Sequence, residues 1–334
     1  MLALIAAVGI ALVGGFVYLR MAGGKPPAIF GHFTRVHDDN TQTTHEHSRA
    51  AKRKRRTQAE AAEHATDEVY LTGSDCPAPQ GCRFNVTCAS DHYTPFIPGC
   101  HPRPDVPGSC ARIAMSEFAS KDEVALLIDM AERGMAGRSK AGGPTILDIN
   151  GGFLRDPQGV VNIYKGRESL YSVDEYRFYG DIVERIRAFV QASFELDFLY
   201  FTAPTFITRL VGNSQWKPKS MHDEYWHMHV DKESTDHYDY SGLLYLSEQG
   251  VDFEGGLFRM ESPPMVVKPT PGLVLSFSAG RENKHQVALV TEGTRYCLSF
   301  WFTCNASRRF KTFLDGKAHD RFEGAPAEVT DARN

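Results

Sequence analysis

From about residue 200 onward the chain stops reading as helix. Runs rich in β-branched and aromatic residues at 200–211, 225–231, 242–246, 256–261, 265–268, 273–277, 285–290 and 295–304 alternate with turn residues. Roughly eight strands in about a hundred residues leave no room for a long helix between them, and that spacing predicts a sandwich or barrel. FEGG at 253–256 and KPTPG at 268–272 are hairpin-type punctuation. Ahead of the strands, two helix starts are legible. Ser120 with Glu123 precedes the apolar run VALLI, and Ser172 with Glu175 precedes a stretch of apolar spacing that runs to about Phe194. Both are capping-box patterns, in which the Ser and Glu side chains satisfy each other's free backbone N–H groups. The expected class is α+β, with helices flanking a double-sheet β core.

Chemistry concentrates in HDEYWHMHVDK at 222–232. Read as a strand, residues two apart face the same way, so His229 and Asp231 project together. His285 follows beyond three or four predicted strands. Two imidazoles and one carboxylate occupy one face of an octahedral Fe(II) and leave the other open. A lone His-x-Asp arises often by chance; what adds weight is Arg295, just past the turn expected at 290–294. Alternation along RYCLSFWF puts Arg295, Cys297, Ser299 and Trp301 on one face and Tyr296, Leu298, Phe300 and Phe302 on a core face. An inward arginine needs an anion, which a dicarboxylate supplies through a bidentate pair and a protein carboxylate through a salt bridge. His227 would share the His229 face, as an outer or substrate-facing residue, and His222 would lie in a loop.

These motifs, with LLYLS at 243–247, DFEGG at 252–256 and GTRY at 293–296 after His285, resemble the prolyl-4-hydroxylase-like branch of the 2-oxoglutarate/iron(II) oxygenases over about residues 113–305. The resemblance implies a double-stranded β-helix (jelly-roll) fold. It makes His229, Asp231 and His285 the catalytic iron ligands. Arg295 becomes the anchor of the distal 2-oxoglutarate carboxylate, with Tyr245 assisting. Collagen-type members use lysine at that anchor, so the chain departs from that subgroup. The cofactors implied are Fe(2+) and 2-oxoglutarate, with L-ascorbate a candidate accessory. O2 and a protein or peptide side chain would be the other reactants, and succinate and CO2 would be released. The alternative is a non-catalytic jelly-roll binding module that keeps the metal site.

Outside this region the sequence is of another kind. The 334 residues carry a formal charge of −4 with 42% hydrophobic and 23% charged residues, which gives no ground for nucleic acid as a partner. LALIAAVGIALVGGFVYL at 2–19 has no charge and spans about 27 Å as a helix, near the ~30 Å of a hydrocarbon core. It exceeds the usual core of a cleaved signal and lacks a basic lead, so an uncleaved anchor is expected. Arg20, Lys25 and Arg35 after it would hold the rest of the chain in the cytosol. Cys76, Cys82, Cys88, Cys100 and Cys110 argue the opposite, since their spacing fits disulfides rather than zinc, with Cys304 a candidate partner for the odd one. The sequons at Asn85 and Asn305 agree with a lumenal location. The expected division is a signal-anchor at 1–20, a disordered basic stalk at 21–66, a Cys-rich segment at 67–112, an oxygenase domain at 113–310 and a tail at 311–334. The whole would be a single-pass type II membrane protein with its catalytic domain in the ER or Golgi lumen. The basic run KRKRR at 52–56 is a solvated charge run or a protease site.

Overall fold

Two β-sheets carry the fold. The larger runs, in spatial order, β2 (Cys82–Val86), β3 (Cys110–Met115), β13 (Val274–Ser278), β9 (Tyr240–Tyr245), β15 (Val290–Thr303), β8 (Phe206–Val211), β4 (Gly143–Asp148), β5 (Phe153–Asp156) and β6 (Gly159–Asn162). Two further strands, β7 (Tyr200–Phe201) and β10 (Phe253–Gly255), also pair with β15. The smaller sheet runs β1 (Val69–Leu71), β12 (Met265–Val267), β11 (Phe258–Met260) and β14 (His285–Val287). This computed structural model describes residues 69–310 apart from 139, 165–169, 203–204 and 219–222. The expected anchor, the stalk with its basic run, the tail beyond 310 and His222 lie outside the described residues. Among the described residues no helix is long and apolar enough to cross a membrane.

Both capping boxes form. Ser120 and Glu123 start α1 (Lys121–Gly134), and Ser172 and Glu175 start α2 (Val173–Ser193), which ends at Phe194 as the pattern predicts. Each helix buries one stripe: Val124, Leu127, Met130 and Ala131 on α1, and Tyr176, Tyr179, Ile182, Val183, Ile186 and Val190 on α2. These join Leu147, Ile207, Leu244, Leu298, Phe300 and Phe302 of the large sheet in one core. At roughly 1.5–3 kcal/mol per large apolar side chain buried, this interface is the main stabilising element. The opposite face of the large sheet meets the small sheet through Ala114, Tyr245, Leu275, Phe277 and Cys297 against Phe258, Met260, Met265 and Val267. The alternation predicted for β15 is therefore real: even-numbered residues from Tyr296 to Phe302 face the helices, and Arg295, Cys297, Ser299 and Trp301 face away from them.

Three expectations are corrected. Residues 225–231 do not form a strand: they are turns, one isolated bridge between His229 and His285, and then α3 (Asp231–Ser234). Residues 290–294 are not a turn but the first part of β15, paired with β10, with Gly293 in the left-handed region at φ 75°. The break expected between 112 and 113 falls inside β3, and the Cys-rich segment supplies β1, β2 and much of β3 to the two sheets. Its composition hid those strands, because Pro, Gly and Cys dominate the loops around them. The cysteines pair as Cys76–Cys82, Cys88–Cys110 and Cys100–Cys304, leaving Cys297 buried and free.

Candidate active site

The small sheet brings His285 to the first position of β14, opposite Met260 of β11. Its backbone N–H and C=O exchange hydrogen bonds of 2.9 Å with those of His229, so one bridge fixes both histidines. Val230 is extended, at φ −116° and ψ 124°, and this keeps His229 and Asp231 on one side although no strand surrounds them. The His229 Nε2 lies 3.6 Å from Asp231 Oδ1, and the His285 Nε2 lies 3.9 Å from Asp231 Oδ2. One donor atom from each of the three residues falls within 4.8 Å of the others.

Hydrogen bonds behind the rings set their tautomers. The His229 Nδ1 bonds the His227 carbonyl at 2.9 Å and the His285 Nδ1 bonds the Asn283 carbonyl at 2.8 Å. A carbonyl only accepts, so each Nδ1 carries the proton and each Nε2 turns a lone pair to the centre. His285 is held between Phe258, stacked at 5.0 Å, and Phe277, edge-on at 4.9 Å. Burial first, and then the neighbouring His229, push its pKa down to about 4, so it is neutral at pH 7. Burial works against ionisation of Asp231, but the neighbouring imidazoles outweigh it and hold its carboxyl at about 2. Burial opposes protonation of His229, and Asp231 more than reverses this, raising its pKa. Two neutral-capable imidazoles and an ionised carboxylate are the donor set of an Fe(II) face.

These groups open into a cavity of about 90 Å³ between the sheets. Its walls include Thr208 and Leu210 of β8, Tyr225, Val287, Ser299 and Trp301, and Arg295 lies among them. Arg295 is 2% exposed, and its Nε and Nη2 have no hydrogen-bond partner among the described residues. Tyr245 does not line the cavity. It packs against Arg295, the guanidinium carbon 5.5 Å from its ring centre, and its buried hydroxyl is likewise unpartnered. Unmade hydrogen bonds on a buried cation cost too much to be incidental. No protein carboxylate forms the alternative salt bridge to Arg295 among the described residues. A carboxylate bound in the cavity would satisfy these donors, so the residues present fit 2-oxoglutarate. Gly256, at φ 61°, lets the chain turn beside this arginine: a Cβ there would lie 3.1 Å from Arg295 Cδ and 2.7 Å from the Phe253 ring.

His227 stands apart. Its side chain is 56% exposed and pairs with Glu224 at 2.5 Å, so its contribution to the centre is its carbonyl, not its ring. Sequence reasoning missed Tyr225, whose hydroxyl accepts from the Val290 N–H at 3.0 Å, and the two phenylalanines that clamp His285. Nothing in their local pattern separates them from ordinary core aromatics.

Residues 217–303, which contain all of these groups except Thr208 and Leu210 of β8, match the model of the 2OG-Fe(II) oxygenase superfamily. The chain belongs to the 2-oxoglutarate- and iron(II)-dependent oxygenases, and is a 2-oxoglutarate-dependent hydroxylase that uses Fe(2+). It is 34% identical over 236 residues to "2-oxoglutarate and iron-dependent oxygenase domain-containing protein 3" of Mus musculus, covering 68% of this chain and 72% of that protein. It is 33% identical over 158 residues to prolyl 3-hydroxylase 2 of Gallus gallus, covering 42% of this chain and 22% of that one. A crystal structure of a 2OG-Fe(II) oxygenase family oxidoreductase from Burkholderia pseudomallei aligns at TM-score 0.38 and 18% identity, over 73% of this chain and 99% of the other.

Proposed function

We propose that this chain hydroxylates a side chain of a protein or peptide, turning 2-oxoglutarate and O2 into succinate and CO2. The observation that carries the reading is Arg295: a buried guanidinium with unmade hydrogen bonds, in the cavity that His229, Asp231 and His285 share. Those three residues would hold the ferrous ion, and the two packed sheets would be the family's double-stranded β-helix. Arg295 would grip the far carboxylate of the co-substrate, with the Tyr245 ring packed against its guanidinium. The iron, when bound, supplies the redox chemistry that couples decarboxylation to attack on a C–H bond. The residues do the rest. The two Nδ1–H bonds keep both imidazoles ready to donate, Asp231 stays ionised at working pH, and the apolar walls exclude water. A protein substrate is supported by the likeness to a prolyl 3-hydroxylase. Disulfides that use six of the seven cysteines support an oxidising compartment. With the apolar run at 2–19 and exposed asparagines at the Asn85 and Asn305 sequons, they favour an anchored, glycosylated lumenal enzyme.

The test is succinate release from 2-oxoglutarate with candidate peptides and L-ascorbate present, for the wild type, His229→Ala and Asp231→Ala. Peptide-dependent succinate from the wild type and none above background from either variant is expected. Full turnover in both variants would remove the site, and no succinate from the wild type with any peptide would favour the non-catalytic binding module.

A further inference from the structure

The Cys-rich segment reaches His285 from behind the site. We propose that Arg112, on β3, is a positioning residue for that histidine: its guanidinium fixes the turn at 281–283 whose carbonyl orients the imidazole. This rests on His285 being a metal ligand, as argued above.

Arg112 is 1% exposed and lies opposite Phe277, one of the rings that clamp His285. All its hydrogen bonds go to the two segments beside the site. The Nε donates to Asn283 Oδ1 at 2.8 Å, and the Nη1 donates to the Pro263 carbonyl at 2.6 Å. The Nη2 donates to the Ser262 carbonyl at 3.0 Å and reaches the Glu282 carbonyl at 3.5 Å. Asn283, also 1% exposed, is pinned again by its amide to the Ser278 carbonyl at 2.9 Å and hydroxyl at 3.0 Å. The Asn283 carbonyl then has one place to point, and it accepts the His285 Nδ1–H. Glu282 holds the other side of the turn, accepting from the Tyr93 hydroxyl at 2.6 Å and the Ala89 N–H at 3.2 Å. The Tyr93 oxygen in turn accepts from the Gly280 N–H at 3.1 Å. The Cys88–Cys110 bond ties the loop carrying Ala89 and Tyr93 to the strand carrying Arg112.

A buried cation is a costly way to join two turns, because apolar packing joins them without desolvating a charge. What a planar guanidinium adds is direction, since its donors leave in fixed lines. Here those lines end on the residue that decides which nitrogen of His285 is free. Groups that fix a ligand imidazole in this way commonly govern metal affinity by about 10–100-fold.

Apo full-length wild type, His285→Ala, Arg112→Met, Arg112→Lys and Tyr93→Phe are titrated anaerobically with Co(II), whose visible spectrum reports ligand geometry. Thermal unfolding of each apo-protein and kcat and KM for 2-oxoglutarate are measured alongside. Arg112→Met is expected to bind Co(II) about 10–100-fold more weakly with an altered spectrum. Its kcat falls while KM for 2-oxoglutarate stays within about twofold, because Arg295 is untouched. Arg112→Lys recovers part of the affinity, and Tyr93→Phe shows a smaller loss in the same direction. If Arg112→Met does not fold, these last two variants decide. Wild-type Co(II) affinity and spectrum in every foldable Arg112 and Tyr93 variant, whatever their melting points, would overturn the proposal. If His285→Ala also bound Co(II) like wild type, the metal site itself would fall with it.

Discussion

At the scale of single residues, Arg295 is the one whose unmade hydrogen bonds speak most clearly. Arg295→Ala should raise KM for 2-oxoglutarate roughly 10–100-fold, the factor that 1.5–3 kcal/mol of lost charge-assisted hydrogen bonding gives. Metal affinity should stay at the wild-type level, because the residue touches no member of the histidine–aspartate cluster in the absence of co-substrate. Saturation kinetics with 2-oxoglutarate, beside Co(II) titration, check both halves; an unchanged KM would mean that the diacid lies elsewhere. This arginine was legible in the sequence because alternation along RYCLSFWF assigns a face to every residue. His229 and Asp231 were legible for a reason that proved only half right. The same-side relation holds because Val230 is extended, while the strand meant to impose it is absent. Asn283 and Arg112 were invisible, since their roles exist only after β3 and the 281–283 turn have met across the fold.

Among the elements, those whose signal is local were readable and those defined by a partner were not. The capping boxes mark α1 and α2 because four residues contain the whole interaction. By contrast β4, β5 and β6 leave little mark, because each is set by the strand beside it. The last residue of β4 is a titrating group of its own. Asp148 is 3% exposed, and burial pushes its pKa up to about 7, against the Asn150 and Gly151 N–H groups that it accepts at 2.9 Å. Its folded pKa lies above the unfolded value of about 3.9, so the folded state binds the proton more tightly. That contribution is complete below about pH 4, fades as pH rises and is gone above about 7. At about 1.4 kcal/mol per unit, the loss is on the order of 4 kcal/mol. Asp148→Asn should flatten the fall in stability between pH 4.5 and 7.5, read by denaturant unfolding at both pH values. An identical slope in the two proteins would show that the carboxylate is ionised throughout.

For the molecule as a whole, the disulfides decide which parts act together. Cys100–Cys304 joins the Cys-rich loop to the end of β15 across a separation of 204 residues, while Cys88–Cys110 spans 22 and Cys76–Cys82 spans 6. Cross-links act largely by restricting the unfolded chain, and the effect grows with the logarithm of the loop. Loop entropy alone then ranks them at about 5, 3–4 and 2 kcal/mol. The paired changes Cys100→Ser with Cys304→Ser, Cys88→Ser with Cys110→Ser and Cys76→Ser with Cys82→Ser should lower the unfolding free energy in that order. The middle pair has an added consequence, because it ties Tyr93 and Arg112 together behind His285. Its removal should weaken Co(II) binding by more than its stability loss ranks it, whereas opening Cys76–Cys82 should leave metal affinity unchanged. Chemical unfolding and Co(II) titration on the same three double variants separate the two effects. Equal metal affinity across all three would mean that the Cys-rich segment only braces the sheets; a selective loss in the Cys88–Cys110 pair would make it part of the catalytic framework.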